Sequence, residues 1–227
     1  MVLVTGIDEA GRSQILGPIF FAGVTLDEGV TERLVKSGLK DSKLCTRRQI
    51  LDLYERIMKF AESVRTIDVQ PRVIDAWIEN KEKHDPALSR GLNALEAYAA
   101  AKLIEELDGE RYYVDSPDQN TKRFRDTILR YCSKDLTQDD VIAEVHADEN
   151  RPVVSAASII AYHRRKIWSK GFEEEYGLSP DVLWITPRLE SVIHRIPPAV
   201  IRRSWRSWRK FKTSKTRNFW RSIDYQT

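Results

Sequence analysis

Strand-like and helix-like segments alternate along this chain, and its first two strand-like runs are joined by a turn too short for a crossover. Val2 to Asp8 is a short apolar run, Pro18 to Leu26 is a second, and the GRSQILGP stretch between them supplies glycines at both ends of a turn. Parallel neighbours need a connection of about a dozen residues or more, usually a helix. These two strands are therefore expected to be antiparallel. Further strands are expected at Glu62 to Val69, Arg111 to Val114 and Val141 to Val145. Helical signals lie between them. Thr46 and Gln49 have capping-box spacing, and Ile50, Leu51, Leu53, Tyr54 and Ile57 follow on one face. A helix opened by Pro71 carries Val73, Ile74 and Trp77. Asp85-Pro86 reads as the start of an alanine-rich helix to Leu107, ended by Gly109. Thr121 to Cys132 is helical, and Pro152 opens a long helix through SAASIIAYHRRKIW. The expected class is α/β, with a mixed sheet flanked by helices.

Beyond Ser179 the strand signals fade, and Pro180, Pro187, Pro197 and Pro198 punctuate short segments. Composition changes at the same place. The net charge of +3 over 227 residues hides a tail, 181–227, with 11 Lys/Arg against 3 Asp/Glu, a net of +8. Residues 1–180 then stand at −5, and the tail holds four of the six tryptophans. We divide the chain into a body, 1–180, and a basic helical C-terminal extension, 181–227. A basic, aromatic tail on an acidic body points to a nucleic-acid partner; a solvated basic helix is the alternative. With 41% hydrophobic residues the chain can bury a core. No stretch approaches the ~20 apolar residues of a membrane span. The N-terminus MVLVTGIDEAG lacks a secretion-signal pattern, so a cytoplasmic protein is expected. Two cysteines, Cys45 and Cys132, are too few for a disulfide scaffold or a cysteine-based zinc site.

Four carboxylates stand at strand ends. Asp8 and Glu9 follow the first apolar run, Asp115 ends the strand Tyr112-Tyr113-Val114, and Asp148 follows the strand that ends at Val145. Any one of them could be a turn-former or a helix cap. Open α/β sheets, however, place their sites at strand ends, where such residues converge. Clustered carboxylates repel, a divalent ion relieves the repulsion, and hard oxygen ligands suit Mg²⁺ or Mn²⁺. Two such ions about 4 Å apart can activate a water and steady the leaving oxygen in phosphodiester cleavage.

Four segments carry a family resemblance in order. Gly6-Ile7-Asp8-Glu9-Ala10-Gly11-Arg12 resembles the opening motif of the type 2 ribonucleases H. Leu39-Lys40-Asp41-Ser42-Lys43-Leu44, then Tyr113-Val114-Asp115-Ser116, then Ala147-Asp148 followed by Pro152 to Ile159, resemble the next three. The resemblance covers roughly residues 2 to 170, and IPPAVIRRSW at 196–205 is similar to archaeal members. It implies a ribonuclease H-like sheet with a helical C-terminal extension. It also implies a divalent-metal-dependent endonuclease that cleaves the RNA strand of RNA/DNA hybrids and ribonucleotides embedded in duplex DNA, leaving 3′-hydroxyl and 5′-phosphate ends. Asp8, Glu9, Asp115 and Asp148 match the family's catalytic, metal-binding acids. Gly11, Arg12 and Ser13 lie in the element that contacts the ribonucleotide. Lys43 matches a lysine near the substrate phosphate, and Arg165 a basic position on the long helix. Ser155 and Ser158 lie on one helical face after Asp148, as substrate-side residues or as small packing residues. His146 could assist product release or simply be solvated.

The chain departs from the family pattern in two places. The family reads Gly-Arg-Gly followed by Pro where this chain has Ser13 and Gln14, and it carries a stacking tyrosine where this chain reads Leu183-Trp184. Trp184 is the candidate replacement stacker, with a packed tryptophan as the alternative. Hybrid cleavage is expected to persist, with a weakened preference for single embedded ribonucleotides. Arg202, Arg203, Arg206, Arg209 and Lys210 recur at helical spacings beside Trp205 and Trp208 and suit phosphate contacts flanked by packing or stacking aromatics, while Arg202 and Arg203, inside IPPAVIRRSW, suit a structural role as much as binding. A monomer is expected; a sliding-clamp partner is possible, but the last residues, 213–227, carry no clamp-binding tail that identifies one. The alternatives are a non-catalytic binder of hybrids or structured nucleic acid and, more remotely, a junction resolvase of the same fold.

Overall fold

A computed structural model describes residues 2–39, 45–79 and 87–209. Lys43, the Asp85-Pro86 helix start and Lys210 lie outside the described residues.

Five strands form one mixed sheet: β1 (Leu3–Ala10), β2 (Ile19–Asp27), β3 (Ser63–Val69), β4 (Arg111–Asp115) and β5 (Val141–Glu144). Their order across the sheet is β3-β2-β1-β4-β5. β1 pairs antiparallel with β2, as the short turn requires, and parallel with β4. β4 continues parallel to β5. The register sets Ile7 beside Val114 and Asp115 beside Glu144, so the acids in the last residues of β1 and β4 share one end of the sheet.

Helices cover both faces. On one face α3 (Pro71–Glu79), α4 (Gly91–Glu106) and α5 (Thr121–Tyr131) pack on Ile7, Ile19, Phe21, Tyr112 and Val114. On the other, α1 (Glu28–Lys36), α2 (Arg47–Phe60) and α7 (Pro152–Tyr176) pack on Val4, Ala22, Val24 and Leu26, with the single turn α6 (Ala147–Asn150) entering α7. The capping box forms as expected: Gln49 N–H donates to Thr46 Oγ1 and Thr46 N–H to Gln49 Oε1. The alanines of α4 are explained by burial on almost every side, from Ala94 to Ile104. That helix begins at Gly91, later than the Asp85-Pro86 signal places it. The backbone N–H of Ser89 is instead bonded to Thr127 Oγ1, outside the helix. α1 is an element that the apolar spacing did not reveal. It buries only Thr31 and Leu34, and it starts because Asp27 caps Gly29.

Gly6 is a crossing of backbone on backbone. A Cβ there would stand 2.2 Å from the carbonyl oxygen of Val153. The first turn of α7 therefore lies directly on β1, and this carries α6 and Asp148 to the end of the sheet.

The segment after α7 runs through a turn at Pro180–Leu183, α8 (Pro187–Val192) and single turns at Ile193–Arg195 and Pro198–Val200, three of the four opened by prolines. It makes a third cluster in which Leu178, Val182, Leu183, Leu189, Ile193, Ile196, Ile201 and Trp208 enclose Ile15, Leu16 and Phe172. Of packing and stacking, Trp208 thus takes packing. Among the described residues no helix is long and apolar enough to cross a membrane.

Candidate active site

Successive side chains on a strand point to opposite faces of its sheet. β1 uses that alternation at its end: Asp8 falls on the side of Val4 and Gly6, toward α7, while Glu9 falls on the side of Ile7, toward α4. Asp115 ends the neighbouring strand. Oxygens of Asp8, Glu9 and Asp115 lie within 4.8 Å of one another. Asp148 sits in a second group with His146 and Glu149, and its charge is felt by Asp8.

Each acid is held by its neighbours. Asp8 Oδ1 accepts from the Glu9 N–H at 2.7 Å, and Ser158 on α7 also bonds this carboxyl. Asp115 Oδ1 accepts from the Ala147 N–H at 2.7 Å, which ties the exit of β5 to the end of β4. His146 makes the sharp turn before α6 in the left-handed region, φ 58°. Its imidazole is exposed toward Glu149. Arg151 pairs with Glu144 and lies over the Tyr113 ring, fixing the entry to α7.

The electrostatics are those of a site short of positive charge. Burial raises Asp8 well above the ordinary carboxylate range, with Asp115 and Asp148 adding to the effect. Glu9 is raised in the same way, first by burial and then by Glu96 and Asp8. An all-carboxylate, oxygen-only donor set with this much repulsion fits a hard divalent cation.

Glu96 is the member that sequence reasoning missed. It sits 2% exposed on α4, facing Glu9, and burial pushes it up to about 7. Its Oε1 accepts from Arg12 Nε at 2.7 Å, and Asn93 Oδ1 accepts from Arg12 Nη2 at 3.0 Å. The available signal was Asn93 and Glu96, three apart and with only Gly, Ala, Leu and Tyr around them from Gly91 to Ala101.

The expected substrate residues divide. Gly11 turns with φ 89°, and Ser13 is exposed. Arg12 is half-exposed with one edge committed to Glu96. Arg165 lies under the loop, 3.5 Å from where a Gly11 Cβ would be, with its guanidinium over Tyr162. Trp184 is 36% exposed, and its indole reaches Ser13, whereas Leu183 is fully buried.

Two others differ from a substrate-facing role, and a third is tied down through its main chain. Ser155 is buried and gives its hydroxyl to the Asp148 carbonyl at 2.6 Å, because the α6–α7 turn needs that acceptor satisfied. Arg202 is fully buried and bonded to main-chain carbonyls. Arg203 and Ser204 present their backbone N–H groups to Asp75 at 2.8 Å, which ties the tail to α3.

Comparison with known proteins agrees with this geometry. A family model described as Ribonuclease HII matches residues 5–181. The chain is 35% identical over 221 residues to the ribonuclease HII of Pyrobaculum islandicum, covering 93% of this chain and all of that one. Its fold is similar to the ribonuclease H2 from Pyrococcus horikoshii, with a TM-score of 0.75 and 31% identity over 93% and 97% of the two chains. It is similar also to the ribonuclease HII in a complex with PCNA from Archaeoglobus fulgidus, with a TM-score of 0.75 and 29% identity over 95% and 98%. The acids at the sheet edge, the mixed five-strand sheet and these relatives agree: the chain belongs to the ribonuclease HII family and is a type 2 ribonuclease H.

Proposed function

We propose that this endoribonuclease is divalent-metal dependent and hydrolyses the RNA strand of RNA/DNA hybrids, with Asp8, Glu9, Asp115 and Asp148 as its metal-holding acids. The observation that carries the proposal is the convergence of Asp8, Glu9 and Asp115 oxygens within 4.8 Å, in an environment that disfavours their charge. Bound divalent ions would supply the positive charge that activates an attacking water and neutralises the leaving oxygen. The bond that forms is from the water oxygen to phosphorus, and the bond that breaks is from phosphorus to the 3′-oxygen. The products are a 3′-hydroxyl and a 5′-phosphate.

The chain's own part is orientation. Glu9 N–H and Ser158 fix the Asp8 carboxylate, Ala147 N–H fixes Asp115, and Ser155 fixes the turn that carries Asp148. Fixed donors of this kind avoid reorganisation during reaction. Glu96 and Asn93 hold Arg12 so that its open edge borders the acids, where a cation suits a substrate phosphate. Ser13 and Trp184 form the adjoining rim. We assign that rim to reading the ribonucleotide and its neighbouring base, with a weakened preference for single embedded ribonucleotides. The PCNA complex of the Archaeoglobus relative supports a sliding clamp as a protein partner.

The test is cleavage of a labelled RNA/DNA hybrid in Mg²⁺, in Mn²⁺ and in EDTA, with product ends mapped. The expectation is cleavage in either metal, none in EDTA, and 3′-hydroxyl ends. Undiminished cleavage in EDTA, or 2′,3′-cyclic ends, overturns the proposal.

A further inference from the structure

Arg202 heads the fully buried side chains by volume among the described residues, at 0% exposure. Every hydrogen bond recorded for its guanidinium goes to the main chain of one loop. Nε donates to the Gly17 carbonyl at 2.7 Å and Nη2 to that of Pro18 at 2.6 Å. Nη1 donates to the carbonyls of Gly11 at 2.9 Å and Arg12 at 3.1 Å. The backbone N–H of Arg202 adds a bond to the Ile15 carbonyl at 3.0 Å. Around this centre, Ile15 N–H donates to Leu183 O at 2.8 Å and Gly17 N–H to Val200 O at 2.7 Å. The Trp205 ring covers the guanidinium at 5.0 Å.

Filling a core does not need a charge, and burying one is costly. What a guanidinium provides is a rigid planar fork of five donors, which dictates where its acceptors stand. Here the acceptors are the carbonyls on both sides of the two residues that turn outward, Arg12 and Ser13. Burial lowers the Arg202 pKa to about 9, opposed by Asp75 and Glu96, so the group keeps its charge at neutral pH.

We propose that Arg202 is a positioning residue that presets the 11–18 loop, so that Arg12 and Ser13 meet the substrate in one register relative to the acids. This rests on the reading of Arg12 and Ser13 as substrate contacts. It assigns Arg202 to the loop's geometry and not to a phosphate. A lysine can reach some of the same carbonyls but cannot hold the fork, so Arg202→Lys should loosen the register while leaving the acids intact.

The experiment uses the full chain and a duplex with four consecutive ribonucleotides in one DNA strand. Asp75→Asn is the comparison variant, because it weakens the same tail segment and removes a charge that acts on Arg202, yet leaves every hydrogen bond from the guanidinium to the loop in place. For Arg202→Lys we expect kcat/KM to fall tenfold or more, and cleavage to spread from the wild-type phosphodiester to its neighbours. Its Mn²⁺ affinity by calorimetry should stay within twofold. Asp75→Asn should lower the melting temperature yet keep the wild-type cleavage position. An unchanged cleavage position in Arg202→Lys, with a rate loss no greater than that of Asp75→Asn, overturns the proposal. If the wild type does not cleave this duplex or the hybrid at all, the functional reading fails first. If Arg202→Lys does not fold, hydrogen exchange on the wild type decides. Amides of Ile15 and Gly17 should open with the same free energy as that of Arg202, and exchange far faster than Arg202 overturns it.

Discussion

The indole Nε1 of Trp184 donates a hydrogen bond to the hydroxyl of Ser13, 3.3 Å away across 171 residues of sequence. The two places where this chain departs from its family are therefore one place in space. Leu183 turns into the core, its carbonyl accepting from Ile15 N–H, and this leaves Trp184 as the exposed ring at the rim. A ring so placed can stack on a base, worth about 1–3 kcal/mol. Trp184→Ala should lower kcat/KM on a duplex with one embedded ribonucleotide by roughly 5- to 150-fold. Trp184→Phe should retain most of the activity. Steady-state kinetics on both variants checks this, and equal losses in the two would show that the ring does not matter.

The acids make a prediction about stability. Asp8 and Glu9 have folded-state pKa values above their ordinary ones, so the folded state binds more protons than the unfolded chain as pH rises through the carboxylate range. Stability without metal should therefore fall as pH climbs above the ordinary carboxylate values. If the cluster holds Mg²⁺ as proposed, the ion takes the ionised form and should raise the melting temperature more at pH 8 than at pH 5. Mg²⁺ at a hundred times its Kd is worth about 2.7 kcal/mol. Asp8→Asn should be more stable than the wild type in EDTA and gain less from Mg²⁺. Differential scanning calorimetry at the two pH values reads both effects.

Glu96 gives a second pH signature. Its pKa rises from 4.5 to about 7 on folding, so its contribution to stability declines across that window. Glu96→Gln keeps an acceptor for Arg12 and removes the titration. Its urea-unfolding free energy should exceed that of the wild type by more at pH 8 than at pH 4.5. A difference independent of pH would contradict the burial of this carboxylate.

Gly6→Ala tests the crossing that delivers Asp148. The added Cβ would meet Val153 O at 2.2 Å and Val154 N at 2.6 Å, all backbone, so no side chain can yield. We expect a loss of about 1–3 kcal/mol or more in urea unfolding, with activity falling further than stability because α6 moves with α7. Wild-type stability and rate would contradict the packing.

The strands and their acids were legible because the apolar runs of β1 and β4 stop at a carboxylate and Asp148 stands shortly after that of β5, and a strand's period of two then sets which face Asp8 and Glu9 take. The antiparallel start was legible from the shortness of GRSQILGP. Glu96 was not, because its role depends on α4 lying over the end of β1, a contact between distant segments. Nor was the start of α4, because Asp85-Pro86 is a local helix signal, while Ser89 is claimed by Thr127 on α5. For Arg202 the sequence left structure and phosphate binding equally open, because nothing local to the tail shows what it folds against. Its burial follows from Leu16 pairing with Ile201, which folds the tail back over the first loop.

The most direct test of the central claim is the single-turnover rate of Asp8→Asn on an RNA/DNA hybrid in saturating Mg²⁺, beside its affinity for the same hybrid. If the sheet-edge acids are the metal site, the rate should fall by 10²–10³-fold or more, on the order seen when one electrostatic stabiliser is removed, and hybrid binding should stay near that of the wild type. Full wild-type rate in Asp8→Asn would contradict the assignment of the reaction to this cluster.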